Sequence, residues 1–411
     1  MEKNHKITII GLGYVGLPLA VSFSKYYKTI GYDISENRIE ELKKSIDRNI
    51  DVDINELDTL HFTYNLSDLK DSNIYIITVP TPVKSDNTPD LSFLESATKI
   101  VSNLIKKNDI IIYESTVYPG VTEDFCVPLL ERFSNFKFNI DFFCGYSPER
   151  INPGDKLRKL EDIVKVTSGS NSEVATIIDD LYKKIIRAGT FKASSIKVAE
   201  ASKVIENVQR DVNIALMNEL AMMFDKMNIS TKDVLEAAKT KWNFLDFKPG
   251  LVGGHCISID PYYLIYKSKD AGYAPDLINT SREINNHVAS FICYKTKKLL
   301  LKQNIKLKNA DVLILGYTFK ENCLDTRNTQ VKMIFNNLKE DNCSVDIYDP
   351  LLNNNNSDNP FLKDKKYDAI ILAVSHKQFF NYTINDFNFI SKEKLVLLDI
   401  KGIYDFSTWT L

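Results

Sequence analysis

No block of five or more like charges occurs along the 411 residues, and 52 basic side chains against 54 acidic ones leave a net charge of −2. A chain so balanced is not built to follow a phosphate backbone or to coat an anionic membrane. Cysteine is sparse: the six, at 126, 144, 256, 293, 323 and 343, form no C-x-x-C pair and have no histidine at metal-ligand spacing. That argues against a disulfide framework and against a bound metal, and it implies reduced thiols in the cytoplasm. No apolar run reaches the roughly 18 to 20 residues of a membrane helix. The basic start (Lys3, His5, Lys6) before apolar residues through Phe23 has the outline of a signal peptide, yet glycines 11, 13 and 16 fit another purpose better.

What is present is enough chain for two to three domains, at roughly 150 residues each. Lys6–Ile10, Thr29–Tyr32, Ile74–Thr78, Ile110–Glu114 and Ile163–Thr167 read as strands alternating with helices, which predicts a parallel sheet covered on both faces. Ile196 to Met227 contains neither glycine nor proline and reads as one long helix, followed by the loop Pro249–Gly254 and a further helix from Tyr273 to Lys302. The β/α rhythm then restarts with strands at Asp311–Leu315, Ser344–Tyr348, Ala369–Val374 and Leu395–Asp399. Asn353–Asn356 reads as a low-complexity loop without chemistry. The expected fold is α/β: two Rossmann-like, doubly wound domains (1–193 and 304–411) joined by a helical connector (194–303) whose long helix is a candidate dimer surface.

Glycine is scarce, with 15 in the chain, yet three fall within six residues: Gly11-Leu-Gly13-Tyr-Val-Gly16 directly follows a strand and opens an apolar helix. Asp33 ends the next strand about twenty residues on. This is the dinucleotide fingerprint in full context: Gly11 for the tight turn, Gly13 for the approach of a pyrophosphate, Gly16 for helix against strand. Asp33 holds ribose hydroxyls and repels a 2′-phosphate, favouring NAD; Arg38 is the residue that pulls the other way, since an arginine near that position accepts such a phosphate. Pro80-Thr81-Pro82 and Ser115-Thr116 lie at carboxyl ends of strands, where ligands of open α/β sheets bind, and each is equally read as an ordinary loop.

A second glycine cluster, Gly250-Leu-Val-Gly253-Gly254-His255-Cys256, ends at Asp260. Flanking glycines let backbone approach a ligand, and a thiolate is a strong nucleophile when a nearby cation lowers its pKa from about 8.5, so Cys256 is read as functional and Cys126, Cys144, Cys293 and Cys343 as small buried hydrophobes. Lys203, Asn207 and Arg210, spaced i, i+4, i+7, share one face of the long helix; that stripe is either solvated or lines a cleft between domains. Glu149 and Arg150 sit in a loop bounded by proline and glycine, and Gly316-Tyr-Thr-Phe319-Lys320 with Asp325-Thr-Arg327 is a plausible site for nucleotide phosphates.

Taken in order, GLGYVGLPLA, VPTP, ESTVYPG, the SPER loop, EASKVIENVQRDVNIALMNELA, GLVGGHCISIDPYYL and GYTFKENCLDTR resemble the signatures of the UDP-glucose/GDP-mannose dehydrogenase family, from the first fingerprint to about Asp349. The resemblance implies a three-part layout and a four-electron oxidation of a sugar C6 hydroxymethyl to a carboxylate, with two NAD⁺ consumed. It makes Cys256 the nucleophile through a thiohemiacetal and a thioester, and gives Asp260 and Thr116 a water that acts as base. Lys203 and Asn207 become the oxyanion stabilisers, worth roughly 3–4 kcal/mol per donor, and Glu149 assists hydrolysis or orders the site. Arg150, Ile151, Arg210, Gly250, Phe319 and Lys320 join Glu149, Lys203 and Asn207 as substrate contacts; Val15, Asp33, Arg38, Thr81, Thr116 and Arg327 join the three glycines as NAD contacts. The implied partners are a UDP-sugar and a second copy of the chain, with no nucleic acid and no membrane.

Two departures bear on the sugar: Pro153 stands where the UDP-glucose branch has a further glutamate, and His255 where that branch lacks a histidine. Both point to the UDP-N-acetylhexosamine branch, UDP-GlcNAc or UDP-GalNAc, that serves capsules and O-antigens; a CPER-type relative acts on UDP-N-acetylmannosamine, which keeps that epimer open. Two rival readings are a two-electron enzyme, either an NAD-dependent dehydrogenase or an epimerase that recycles its NAD, and a silent NAD-binding scaffold. Lys203, Asn207, Cys256 and Asp260 standing together argue against the scaffold.

Overall fold

Continuous isoleucine-rich runs, buried on both faces, set the first sheet. In a computed structural model, which describes residues 5–47, 57, 60–151, 158–352 and 358–411, the chain divides into two compact units: Met1–Glu206 with Tyr262–Tyr273, and Asn207–Pro261 with Ala274–Leu411. Pro153 and Asn353–Asn356 lie outside the described residues.

The first unit carries eight strands: β1 (Lys6–Ile10), β2 (Lys28–Tyr32), β3 (His61–Thr63), β4 (Ile74–Ile77), β5 (Asp109–Tyr113), β6 (Phe142–Tyr146), β7 (Lys165–Gly169) and β8 (Thr190–Lys192), in the order β3-β2-β1-β4-β5-β6-β7-β8. Alternate residues of one strand feed different cores: Ile7, Ile9, Ile74 and Ile76 join one cluster, Ile10, Tyr75, Ile77 and Tyr113 the other. Both faces are therefore covered by helices, which include α1 (Gly16–Ser24), α2 (Glu36–Lys43), α3 (Ser92–Ser102), α4 (Val127–Ser134) and α5 (Ser172–Ile185). The wholly parallel sheet expected from the alternation needs one correction, because β6 and β7 pair antiparallel through Gly145↔Gly169 and Tyr146↔Ser168. A parallel return takes a crossover, usually a helix, and the described residues between β6 and β7 form only the three-residue turn Leu160–Asp162.

Helix α6 (Ile196–Met227) runs unbroken for 32 residues, the length its lack of glycine and proline predicts, and the division between units falls within it after Glu206. It is followed by α7 (Thr231–Ala238), α8 (Asp260–Asp270) and α9 (Asp276–Lys302). The helix expected from Tyr273 starts at Asp276 instead, because Pro275 is its cap residue and proline has no N–H to place inside a helix.

The second unit's sheet is parallel throughout: β9 (Asp311–Leu315), β10 (Ser344–Tyr348), β11 (Ala369–Leu372), β12 (Leu397–Asp399) and β13 (Trp409–Thr410), in the order β10-β9-β11-β12-β13. Chain order reverses beside β9, which makes the ends of β9 and β11 the switch point where such sheets bind ligands. The α/β class and the pair of Rossmann-like sheets are as the sequence implied. Among the described residues no helix is long and apolar enough to cross a membrane.

Candidate active site

In the first unit the glycine turn is shaped by contact with backbone. Gly11 has φ +95°, and its N–H donates to Tyr32 O at 2.9 Å. A β-carbon on Gly16 would fall 1.8 Å from Gly11 O and 2.4 Å from Thr78 Oγ1, whereas one on Gly13 would meet nothing within 4 Å. The turn is thus closed on the sheet side and open at Gly13. Helix α1 begins at Gly16 with Val15 as cap residue, with no side-chain cap and no acidic residue in its first turn, so its N-terminal N–H groups face outward as an anion site. Asp33 Oδ2 accepts from Leu12 N at 2.8 Å and Oδ1 from Ser35 N at 2.9 Å, which fixes the carboxylate at the end of β2 beside that turn. These features fit a dinucleotide: a pyrophosphate cradle, a helix dipole and a ribose acceptor.

Arg38 turns inward. It is 6% exposed, donates from Nε to Leu12 O at 3.0 Å and pairs through Nη2 with Asp47 at 2.8 Å. The loops after β4 and β5 are tied together: Thr81 Oγ1 donates to Thr116 O at 2.6 Å, Ser115 Oγ to Val79 O at 2.6 Å, and the Tyr263 hydroxyl to Thr81 O at 2.8 Å. Glu149 is buried, and its Oε1 accepts the N–H groups of Arg150 and Ile151, each at 2.6 Å. Its Oε2 lies 3.1 Å from the ammonium of Lys165, which also binds Glu114 at 2.7 Å. The Arg150 guanidinium pairs with Glu206 at 2.8 Å. Neither Lys165 nor Glu114 had been singled out from the sequence.

On α6 the polar stripe is not a solvated face along its whole length: Lys203 and Asn207 are buried, while Arg210 is exposed. In the second unit Asn207 Nδ2 donates to Asp260 Oδ2 at 2.6 Å, and Arg210 Nη1 donates to Asn207 Oδ1 at 3.0 Å. Asp260 is the first residue of α8, and its N–H donates to Cys256 O at 2.9 Å, so one turn of chain holds Cys256 next to that carboxylate. Cys256 is partly exposed; Cys126, Cys144, Cys293 and Cys343 are buried, and burial pushes the thiols of Cys126 and Cys293 up to about 12. Burial separates these four inert thiols from the two partly exposed ones, Cys256 and Cys323, and of those two only Cys256 lies one turn from Asp260.

The loop before Cys256 is held by side chains from afar. Asn218 clamps Gly250, donating to its O at 3.1 Å and accepting from its N at 2.7 Å, and is itself braced by Asn285. His255 Nε2 lies 3.1 Å from Asp325 Oδ2; burial, then the Arg327 charge, lower its pKa, with Asp325 opposing. Arg327 chelates Asp325 through Nε and Nη2, at 3.0 and 2.7 Å. A pocket of about 70 Å³ at the ends of β9 and β11 is lined by Gly253, Phe319, Lys320, Gln330 and Lys401 among others. Lys401, which follows β12, was invisible in the sequence because it lies about 80 residues beyond Phe319.

Comparison with known proteins decides the family. Three models of one family match in succession: the UDP-glucose/GDP-mannose dehydrogenase NAD binding domain over residues 5–186, the central domain over 197–287 and the UDP binding domain over 313–406. The chain belongs to the UDP-glucose/GDP-mannose dehydrogenase family. It is an oxidoreductase with NAD as cofactor, and its dehydrogenase relatives match nearly end to end. A UDP-N-acetyl-D-glucosamine 6-dehydrogenase of Pseudomonas aeruginosa is 50% identical, with 98% of each chain covered. Protein CapL of Staphylococcus aureus is 49% identical over 97% of this chain and 96% of its own. Among solved structures, a UDP-D-ManNAc dehydrogenase of Pyrococcus horikoshii is similar with a TM-score of 0.88 and 30% identity, covering 98% of both chains.

Proposed function

We propose that this dehydrogenase oxidises C6 of a UDP-N-acetylhexosamine, UDP-GlcNAc before UDP-GalNAc, to the uronic acid for surface polysaccharide synthesis. One observation carries the choice of sugar: relatives named UDP-N-acetyl-D-glucosamine 6-dehydrogenase are 49–50% identical over nearly the whole chain, whereas those named UDP-N-acetyl-D-mannosamine dehydrogenase are 30–34% identical. His255, paired with Asp325, is in keeping with it.

Bound NAD supplies a hydride acceptor for each of the two oxidations. The protein supplies the rest. Gly11, Gly13, Val15 and Gly16 seat the pyrophosphate, Asp33 the ribose, and Thr81, Thr116 and Arg327 further NAD contacts; Arg38 braces the turn through Leu12 O. Phe319, Lys320 and Lys401 receive the UDP portion, with Gly250, Arg150, Ile151 and Arg210 as further substrate contacts. A water held by Asp260 and Thr116 takes the C6 hydroxyl proton. The Cys256 thiolate adds to the aldehyde, and the thiohemiacetal becomes a thioester at the second oxidation. Lys203 and Asn207 stabilise the oxygen anions; the Asn207 amide spends one hydrogen on Asp260 and carries a second. Glu149 assists hydrolysis. The enzyme works in the cytoplasm as a homodimer; Val198, Ile205, Leu216 and Met223, all 45–54% exposed along one stripe of α6, support a second copy there.

The test is NADH counted per sugar, with product mass, over UDP-glucose, UDP-GlcNAc, UDP-GalNAc, UDP-ManNAc and GDP-mannose. Two NADH and a new carboxylate from UDP-GlcNAc or UDP-GalNAc are expected, and Cys256→Ser is expected to bind NAD yet make no carboxylate. Activity on UDP-glucose alone overturns the choice of sugar; one NADH, or none, overturns the thioester route.

A further inference from the structure

One charged group deep in the first unit has no part in the chemistry above. Lys165 opens β7 and is 2% exposed, with Nζ 2.7 Å from Glu114 Oε2 and 3.1 Å from Glu149 Oε2. Tyr182, on α5, donates its hydroxyl to Glu114 Oε1, and its ring lies 5.4 Å from the ammonium. Glu114 and Tyr182 are as buried as Lys165, and Glu149, at 8%, is the most exposed of the four. Burying charges is costly, and a buried pair is often no more stabilising than apolar residues of the same volume. Here one ammonium serves two carboxylates. Burial raises the Glu114 pKa, with Lys165 opposing and Glu149 adding to the rise.

The connectivity says what such a costly cluster is for. Glu114 follows β5, two residues before Thr116, and Glu149 lies in the loop after β6, so a single ammonium ties together the two loops that carry Thr116 and Glu149. Glu149 is held at both oxygens, by two backbone N–H groups on Oε1 and by Lys165 on Oε2, which leaves its carboxylate no freedom to rotate. The other charge beside it, Arg150, is engaged by Glu206 at 2.8 Å and by Val164 O at 2.8 Å.

We propose that Lys165 is a positioning residue for Glu149, fixing the orientation of its carboxylate for thioester hydrolysis. This rests on the thioester reading above. In that step the water oxygen bonds to the thioester carbon and the C–S bond breaks with its electron pair leaving on Cys256 sulfur. One water proton goes to Glu149 and the other to solvent.

The experiment uses full-length wild type, Lys165→Met, Lys165→Arg and Glu114→Gln with UDP-GlcNAc and NAD⁺. It reads NADH in a single turnover, the intact mass of quenched protein, and steady-state kcat. Lys165→Met is expected to lose about tenfold or more in kcat, keep single-turnover NADH within about twofold, and accumulate protein carrying the acyl group on Cys256. Lys165→Arg restores most of the rate. Glu114→Gln, which leaves the Lys165 contact to Glu149 in place, is expected to accumulate no acyl protein. A merely structural role would slow NADH release and hydrolysis together and leave no acyl protein. If Lys165→Met fails to fold, Lys165→Gln is read in the same way. No acyl protein in the folded variant overturns the proposal; wild type that yields fewer than two NADH per sugar overturns instead the reading on which it rests.

Discussion

At Gly16 a β-carbon would collide first with the turn's own backbone, Gly11 O at 1.8 Å, and then with Thr78 Oγ1 beyond β4 at 2.4 Å; at Gly254 it would meet the ring of Phe319 at 2.8 Å, with the backbone at φ +84°. The Thr78 hydroxyl cannot yield freely, because it already donates to Gly11 O at 2.7 Å and Ile10 O at 3.0 Å. Phe319 is a side chain 65 positions further along, free to turn about its own χ angles. One glycine is demanded by local backbone geometry, the other by a distant partner and by strain. The first kind of demand writes a short motif; the second leaves a glycine whose reason appears only when the chain is folded.

The sharpest way to break this comparison is to add one methyl at each place. Gly16→Ala is expected to lower NAD affinity at least hundredfold, about 3 kcal/mol, while UDP affinity in the second unit changes by less than about twofold; calorimetric titration of both ligands checks this. Near-normal NAD binding would show that the turn relaxes and that the motif is not dictated by close contact. Gly254→Ala is expected to cost less, roughly 2 kcal/mol from left-handed strain plus the Phe319 contact, read as a KM for UDP-sugar raised about thirtyfold with NAD affinity kept. The double variant Gly254→Ala with Phe319→Leu separates the two parts, since only the steric part is relieved when the ring is gone. A double variant no better than the single one would assign the whole cost to the backbone.

The same distinction explains how much was legible beforehand. The strands Lys6–Ile10, Asp311–Leu315 and Ser344–Tyr348 and the helix Ile196–Met227 coincide with their expected limits because each carries a local signal, a short β-branched apolar run or a long stretch free of glycine and proline. The strands His61–Thr63, Thr190–Lys192 and Trp409–Thr410 escaped notice, being two or three residues long and without a pattern of their own. Of the site, what the sequence displays is the local chemistry: a glycine turn, a thiol among glycines, a polar stripe on a helix. It hides the supports. Lys165 sits in the run Ile-Val-Lys-Val-Thr and looks like an ordinary surface lysine until Glu114, 51 positions away, and Glu149, 16 away, close on it. Asn218 clamps Gly250 across 32 positions. Such partners are set by tertiary packing, which composition and spacing do not encode.

The smallest expected effect concerns charge rather than shape, and again the two units differ. Glu200 on α6 is fully buried and accepts from Gly120 N at 2.5 Å and Thr122 N at 2.9 Å, yet burial pushes its carboxyl up to about 7. In the second unit Asp349, also buried, is held down to about 2: burial opposes, but His376 at 3.0 Å and backbone N–H groups outweigh it. The signs follow from linkage. Folded Glu200 binds its proton more tightly than the unfolded chain does, so its contribution to stability improves as pH falls from above 7 towards the ordinary value of 4.5, and is unfavourable above 7. Asp349 contributes its stability above its ordinary 3.8 and loses it only as pH falls towards 2. Between pH 8 and 5.5 the first unit therefore responds through Glu200 while Asp349 stays silent. Glu200→Gln is expected to remove that response, so that wild type gains about 1 kcal/mol on the variant as pH falls from 7 to 6, read from urea unfolding midpoints at each pH. Asp349→Asn is expected to lower stability at both pH values, because Asp349 itself is ionised throughout that interval. A Glu200→Gln difference that is flat with pH would mean that the two backbone N–H donors hold Glu200 ionised as firmly as His376 holds Asp349, and the contrast between the units would then lie in their glycines alone.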